Sequence, residues 1–180
     1  MRNCVRGMSA LMTMFVLAGT ALGGEAISAG KVKNIHAEKK EFVLTDAANK
    51  EWTFKFSDKV VMNRGGKETQ SGLMAGDPVV VYYDKGVLTW TARYILVQGG
   101  DSKNWHLAHG TFKNYNVSTK VLTFTDDQDR DWNYAMGDAA VRLNREPSNV
   151  SELKIGEHIL LILEKLEDKS RLKSVLFERK

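Results

Sequence analysis

The chain has 180 residues, of which 43% are hydrophobic and 27% are charged, and its formal net charge is +4. Cys4 is its single cysteine, which excludes an internal disulfide and any thiolate-rich zinc or iron–sulfur site. The charge balance is close to neutral, so we expect no nucleic-acid partner.

The first predicted element is an N-terminal signal helix. Arg2 and Arg6 precede an apolar run that extends to Leu22, and small residues follow it. This order is typical of a secretory signal peptide, and the run is shorter than the roughly 20 residues that cross a bilayer as a helix. We therefore expect a signal peptide over 1–23, no permanent membrane anchor and a periplasmic or secreted protein.

The remainder of the chain has the pattern of short antiparallel strands. In the segment 51–57, EWTFKFS, the large apolar residues occur at every second position, which places them on one face of a strand. Acidic turns such as 46–50 and 126–130 separate these segments, because Asp and Asn tolerate the backbone of tight turns. The pattern predicts an all-β protein.

Two halves of the chain share one pattern at an offset of 80 residues. Residues 30–98 lie over 110–178 without a net gap, and fourteen of the 69 pairs are identical. The identical pairs include Gly30/Gly110, Asp46/Asp126, Trp52/Trp132, Ser71/Ser151 and Gly76/Gly156. We predict two tandem small barrels, OB-like or SH3-like, of five or six antiparallel strands each. The first covers 28–98, a linker covers 99–107, and the second covers 108–179.

Each unit also repeats a serine, leucine, glycine and acid before a long apolar segment. We expect Ser71 and Ser151 to cap one short helical turn, and Gly76 and Gly156 to end it with positive φ. The strands that follow, PVVVYYD and HILLILE, are apolar on both faces. Part of that surface is predicted to pack one barrel on the other, together with Trp90 and Trp105, which have no tryptophan counterpart in the other unit.

The first unit resembles a known group of proteins through its motifs. G-K-V-x-x-I, F-x-L-x-D, K-E-W-x-F and S-x-L-x-x-G-D-x-V-V-V-x-Y occur in this order over 30–83. They are similar to those of uncharacterised exported bacterial OB-like β-barrel domains, and the resemblance implies a periplasmic barrel without a specified activity. A more distant resemblance is to small periplasmic copper-binding barrels, whose site combines a histidine, a tryptophan and a methionine pair. His36 and Trp52 match that pattern, whereas positions 55–57 contain no methionine.

Two kinds of residue are candidates for binding. Trp52 and Trp132 could stack on a ligand ring at a barrel mouth, although core packing is the competing interpretation. His36, His106 and His109 could bind copper or zinc, although His106 and His109 would point to opposite faces of an extended strand.

No constellation of nucleophile, base and acid is apparent, so the sequence predicts no catalytic residue and no resident cofactor. We expect an exported, non-enzymatic binding or scaffolding protein of the cell envelope, with an envelope protein or a small ligand as its partner. Copper binding, and the binding of an oligonucleotide or polysaccharide, are the alternatives.

Overall fold

The structure is a computed structural model and describes residues 24–179. The signal peptide predicted over 1–23 lies outside the described residues. Within them the chain forms β-strands and three short 3₁₀ turns, which confirms the all-β prediction. None of the helices in this part of the chain has the length and apolar character to cross a membrane.

The first sheet closes into a barrel. Its strands are β1 (Gly24–His36), β2 (Glu41–Thr45), β3 (Glu51–Arg64), β4 (Lys67–Thr69), β5 (Pro78–Lys85) and β6 (Trp90–Val97). Hydrogen-bonded neighbours follow the order β2-β1-β5-β6-β3-β4, and an additional β2–β3 pairing closes the ring. The closure depends on the 14-residue strand β3, which is antiparallel to β2 along its first half and parallel to β6 further on.

The second sheet has the same order of elements but one strand is divided. Its strands are β7 (Trp105–Asn116), β8 (Val121–Thr125), β9 (Asp131–Ala135), β10 (Ala140–Leu143), β11 (Glu146–Pro147), β12 (His158–Lys165) and β13 (Ser170–Phe177). Their order is β11-β10-β13-β12-β7-β8-β9. The counterpart of β3 is split into β9 and β10 by a turn at Gly137, whose φ is +48°.

This division leaves the second barrel with an open seam. β10 pairs parallel with β13, as β3 does with β6, whereas among the described residues β9 pairs only with β8. The seam therefore lies between β9 and the first half of β13. Each sheet contains one parallel pair, a feature that the prediction of antiparallel strands did not include.

The glycine that opens each repeated pattern is required by close backbone packing. A Cβ atom on Gly30 would collide with the carbonyl oxygen of Thr45, and one on Gly110 would collide with that of Thr125. Both glycines are on strands that bulge two or three residues later, where β1 meets β2 and β7 meets β8. The missing side chain thus allows one strand to cross closely over its neighbour.

The predicted capping role of Ser71 and Ser151 is wrong. The segment after Ser71 contains no helical turn, because Gly72 has φ of +104°. In the second barrel a 3₁₀ turn forms over Val150–Glu152, but Asn149 precedes it, and its side chain accepts the backbone N–H of Ser151.

In the same segments the glycines have the predicted backbone conformation, and the acid that follows Gly76 has a role that was not predicted. Gly76 and Gly156 have φ of +93° and +89°, as predicted. The Asp77 carboxylate accepts the backbone N–H of Met74 at 2.8 Å and a guanidinium N–H of Arg64 at 2.7 Å. The acid therefore fastens the turn that leads into β5.

The two barrels pack through a shared apolar cluster on their outer faces. Its buried members are Val61, Val80, Tyr82, Tyr94, Leu96, Trp105, Leu107, Leu160 and Ile162. Trp105 is 9% exposed, which confirms its predicted place in this contact. The corresponding prediction for Trp90 is wrong, because that indole packs against the interior cluster of the first barrel.

Candidate ligand-binding site

Both predicted ligand-binding tryptophans are held by the same local structure. The indole Nε1 of Trp52 donates to Asp46 Oδ2 at 2.8 Å, and that of Trp132 donates to Asp126 Oδ2 at 2.8 Å. In each turn the other carboxylate oxygen accepts two backbone N–H groups. The aspartate thereby connects the hairpin turn to the indole and fixes the orientation of the ring.

These hydrogen bonds lower the pKa of both aspartates. The indole N–H of Trp52 is the main cause for Asp46, with the backbone N–H of Lys50 second. For Asp126 the main cause is the Arg130 side chain, and the Trp132 indole adds to it. Both carboxylates therefore stay ionised to a lower pH than an ordinary aspartate does.

We expect acid to destabilise the fold through these two groups. An aspartate with a depressed folded pKa stabilises the protein above its unfolded pKa of about 3.9, and this stabilisation is lost as pH falls through the folded value. The urea midpoint should therefore fall as pH is lowered from 5 to about 2. Asp126→Asn should make this fall shallower, and Asp138→Asn, at an exposed position, is the control for removing one carboxylate; equal slopes in the wild type and Asp126→Asn would contradict this assignment.

Apart from this shared hydrogen bond to the turn aspartate, the environments of the two indoles differ. The Trp52 ring stacks on Trp90, with centroids 4.6 Å apart and planes at 23°, and the ammonium of Lys50 lies 3.7 Å from its centroid. At the position eighty residues after Trp90, the second barrel has Ser170. Among the described residues Trp132 consequently has no indole stacked on it; it is 42% exposed, and the guanidinium carbon of Arg130 lies 5.5 Å from its ring centroid.

A cleft of about 390 Å³ opens beside Trp132, which we call the Trp132 cleft. Its apolar wall contains Ala108, Phe124, Tyr134 and Leu163, and its polar rim includes His106, Asp127 and Arg130. The volume falls within the range of roughly 300–1,000 Å³ that is typical of small-ligand sites. The cleft therefore offers an exposed aromatic face beside apolar and polar groups.

Two of the three predicted metal-binding histidines line this cleft. His109 Nε2 lies 3.0 Å from Asp127 Oδ2, and its ring centroid lies 5.5 Å from that of Tyr82. His106 is on the other face of β7 and half-buried, and burial lowers its pKa, against a hydrogen bond with the backbone of Asn104. His36 is exposed at the end of β1 in the first barrel, away from the other two.

The donor set does not fit a closed metal site. Within residues 24–179, no three histidine, cysteine, aspartate or glutamate side chains are grouped so that they could hold a metal ion. His109 already directs Nε2 to Asp127, and its Nδ1 is buried without a hydrogen-bond partner among the described residues. The described side chains therefore do not bring three such ligands together at this cleft.

A second, larger cleft adjoins the first. It measures about 690 Å³ and is lined by Gln98, Lys103, Trp105, His106 and the hairpin 165–170. His106 borders both clefts. Apart from this histidine, the sequence-based candidates do not include the residues of the larger cleft, because its walls come from a linker and a turn without a repeated motif.

Comparison with known proteins gives a structural similarity only. No family model matches the chain, and no curated protein matches it. A solved structure described as the crystal structure of Ag(I)CusF is 20% identical and covers 41% of this chain and 97% of that chain, with a TM-score of 0.33. Function has therefore to be inferred from the geometry of the Trp132 cleft.

Proposed function

We propose that this protein is a non-enzymatic binding protein made of two OB-like barrels, and that the Trp132 cleft holds its ligand. The observation that supports this is a difference between the barrels. The residue equivalent to Trp90 in the second barrel is Ser170, which lines the adjoining larger cleft, and the space beside Trp132 is open. An aromatic face beside convergent polar groups is the usual composition of a small-ligand site.

The polar groups of the cleft support binding better than catalysis. Asp126 accepts from Arg130 and Trp132, so its charge is used inside the hairpin. The one histidine–carboxylate pair of the cleft, His109 with Asp127, leaves Nδ1 buried and without a partner among the described residues. That nitrogen has no hydroxyl to activate as a nucleophile.

The signal-like segment supports a proposal for the cellular site of this binding. We propose export to the periplasm or beyond the cell, supported by the arginines and apolar run of residues 1–23. The partner is then a small ligand or an envelope protein that presents a compact group to the cleft. Sequencing the N-terminus of the exported protein tests this proposal, and retention of residues 1–23 would contradict it.

Binding is tested with a fragment panel and Trp132→Ala. We expect some aromatic compounds, monosaccharides or short oligonucleotides to shift backbone amide resonances of the cleft hairpin 121–135 in ¹⁵N spectra. Trp132→Ala should abolish those shifts, because it removes the exposed ring face that the ligand covers. Val117→Ala, at an apolar position that is 75% exposed, is the matched control and should retain them. A panel without any cleft-localised shift would overturn the proposal.

Transition-metal binding remains a separate prediction, motivated by His106 and His109 at the same cleft. Isothermal titration with Cu(I), Cu(II) and Zn(II) tests it directly. A saturable signal that His106→Ala removes would support a metal site, and the absence of heat at micromolar metal would exclude one.

A further inference from the structure

We infer that the group held in the Trp132 cleft is a flat aromatic ring of about the size of an indole. This inference rests on the proposed function and specifies its ligand class. The first barrel supplies the evidence, because it shows the same site with such a ring in place.

In the first barrel the ring belongs to Trp90. Its centroid lies 4.6 Å from that of Trp52, 5.2 Å from that of Tyr83 and 5.7 Å from that of Phe54. The planes of Trp90 and Tyr83 meet at 29°, so Trp90 stacks on both Trp52 and Tyr83. Offset stacking of this kind is the preferred arrangement of aromatic pairs.

Two pairs of strands around this site, β2–β3 and β5–β6, have the same register as their counterparts β8–β9 and β12–β13. Leu44 pairs with Trp52 as Phe124 pairs with Trp132. Lys85 pairs with Trp90 as Lys165 pairs with Ser170.

The neighbouring pairs agree as well. Tyr83 pairs with Ala92 as Leu163 pairs with Leu172, and each of these two pairs follows a bulge in the ladder. Positions eighty residues apart are thus equivalent along these two pairs of strands, whereas within residues 24–179 the β3–β6 pairing of Phe54 with Trp90 has no counterpart between β9 and β13.

The residues that contact the Trp90 ring therefore have known counterparts. They are Trp132 for Trp52, Tyr134 for Phe54 and Leu163 for Tyr83. All three line the Trp132 cleft. The second barrel thus retains an aromatic and apolar surround for a ring and lacks the ring itself, because residue 170 is serine.

The charges at the rim favour an uncharged ring. The Arg130 guanidinium is bound to Asp126, and the Asp127 carboxylate lies 3.0 Å from His109. The burial that lowers the pKa of His106 favours its neutral form. Because these polar groups already contact one another, stacking and apolar contact are the main interactions that remain for a ligand.

The test uses indole as the probe with four proteins: the wild type, Ser170→Trp, Ser170→Ala and Trp90→Ser. Titration calorimetry should detect one indole site in the wild type. Ser170→Trp should supply the missing ring from the chain itself and weaken indole binding at least tenfold. Ser170→Ala adds no ring and should bind as the wild type does.

Trp90→Ser opens the equivalent position in the first barrel and should raise the stoichiometry from one indole to two. If this variant does not fold, Ser170→Trp against Ser170→Ala decides the question alone. Unchanged indole affinity in Ser170→Trp would show that the ring does not occupy this position, and would overturn the inference.

The same titrations separate this inference from the proposed function. If indole fails to bind while a monosaccharide binds in a manner that depends on Trp132, the aromatic ligand class is wrong and the cleft is still a binding site. If neither binds and the fragment panel shows no shift at the cleft, both proposals are wrong.

Discussion

Trp105→Ala should lower the free energy of unfolding by about 3–5 kcal/mol, the usual cost of deleting a buried tryptophan side chain. Trp105 is 9% exposed and lies in the apolar cluster between the barrels, together with Leu96 and Ile162. Its removal leaves a cavity between two packed sheets. The sheets cannot close this cavity by moving towards each other without disturbing the packing inside each barrel. Urea unfolding followed by circular dichroism measures the loss.

The same variant should also change the shape of the unfolding curve. The barrels of the wild type share the cluster that contains Trp105, so we expect them to unfold in one transition. Trp105→Ala should separate the transition into two steps, because each barrel has its own interior cluster.

Trp105→Phe is the matched control. Indole Nε1 of Trp105 is buried and has no hydrogen-bond partner among the described residues, so phenylalanine sacrifices no hydrogen bond there. The control should lose much less stability than the alanine variant. A loss as large as that of alanine would show that ring burial is not the main contribution.

Gly110→Ala should cost about 3 kcal/mol, at the upper end of the range for overpacking. The new methyl group would meet the carbonyl oxygen of Thr125 and the side chain of Phe124. The carbonyl belongs to the β7–β8 ladder and cannot rotate away, so the two strands would have to separate. Thermal unfolding measures the effect as a reduced Tm.

Gly99→Ala is the control for this substitution. It adds the same methyl group at a position where no atom lies within 4 Å, and its extended backbone accepts any residue. Its Tm should stay close to that of the wild type. A comparable loss in both variants would mean that backbone freedom, and not the collision at Thr125, is the cause.

Much of the fold could be predicted from local patterns. The alternation of Trp52, Phe54 and Phe56 predicted a strand, and these residues lie in β3 with their side chains against the interior cluster. The location of the helical turns could not be predicted in this way. In the first unit a 3₁₀ turn forms at Ala37–Lys39, and the segment after Ser71 is irregular because Gly72 has positive φ.

The candidate site was only partly predictable. The sequence shows that the position equivalent to Trp90 is Ser170 in the second unit. Whether this difference opens a binding site depends on which face of β6 the indole occupies. A bulge between Tyr82 and Tyr83 shifts the register of β5 against β6, and no local pattern announces it. Without this register, the lack of a tryptophan counterpart favours placing Trp90 at the contact between the barrels.

The histidines show the same limit. Their odd spacing correctly placed His106 and His109 on opposite faces of one strand. Both nevertheless border the Trp132 cleft, because the cleft lies beside the edge of β7 and the turn 126–130 reaches across it. Such a contact depends on where a turn folds back, which residue spacing does not encode.

The turn at Gly137 also has a kinetic consequence. In the first barrel, β3 cannot separate from β6 without breaking the backbone hydrogen bonds of their parallel pairing. In the second barrel no such pairing joins β9 to β13 among the described residues, so β9 can move away from β13 without breaking backbone hydrogen bonds between them. Amide protons of β9 should therefore exchange with deuterium sooner than those of the first half of β3. A bound ligand that contacts both sides of the seam would slow this exchange. The exchange rate of the β9 amides would therefore indicate whether the second barrel holds a ligand.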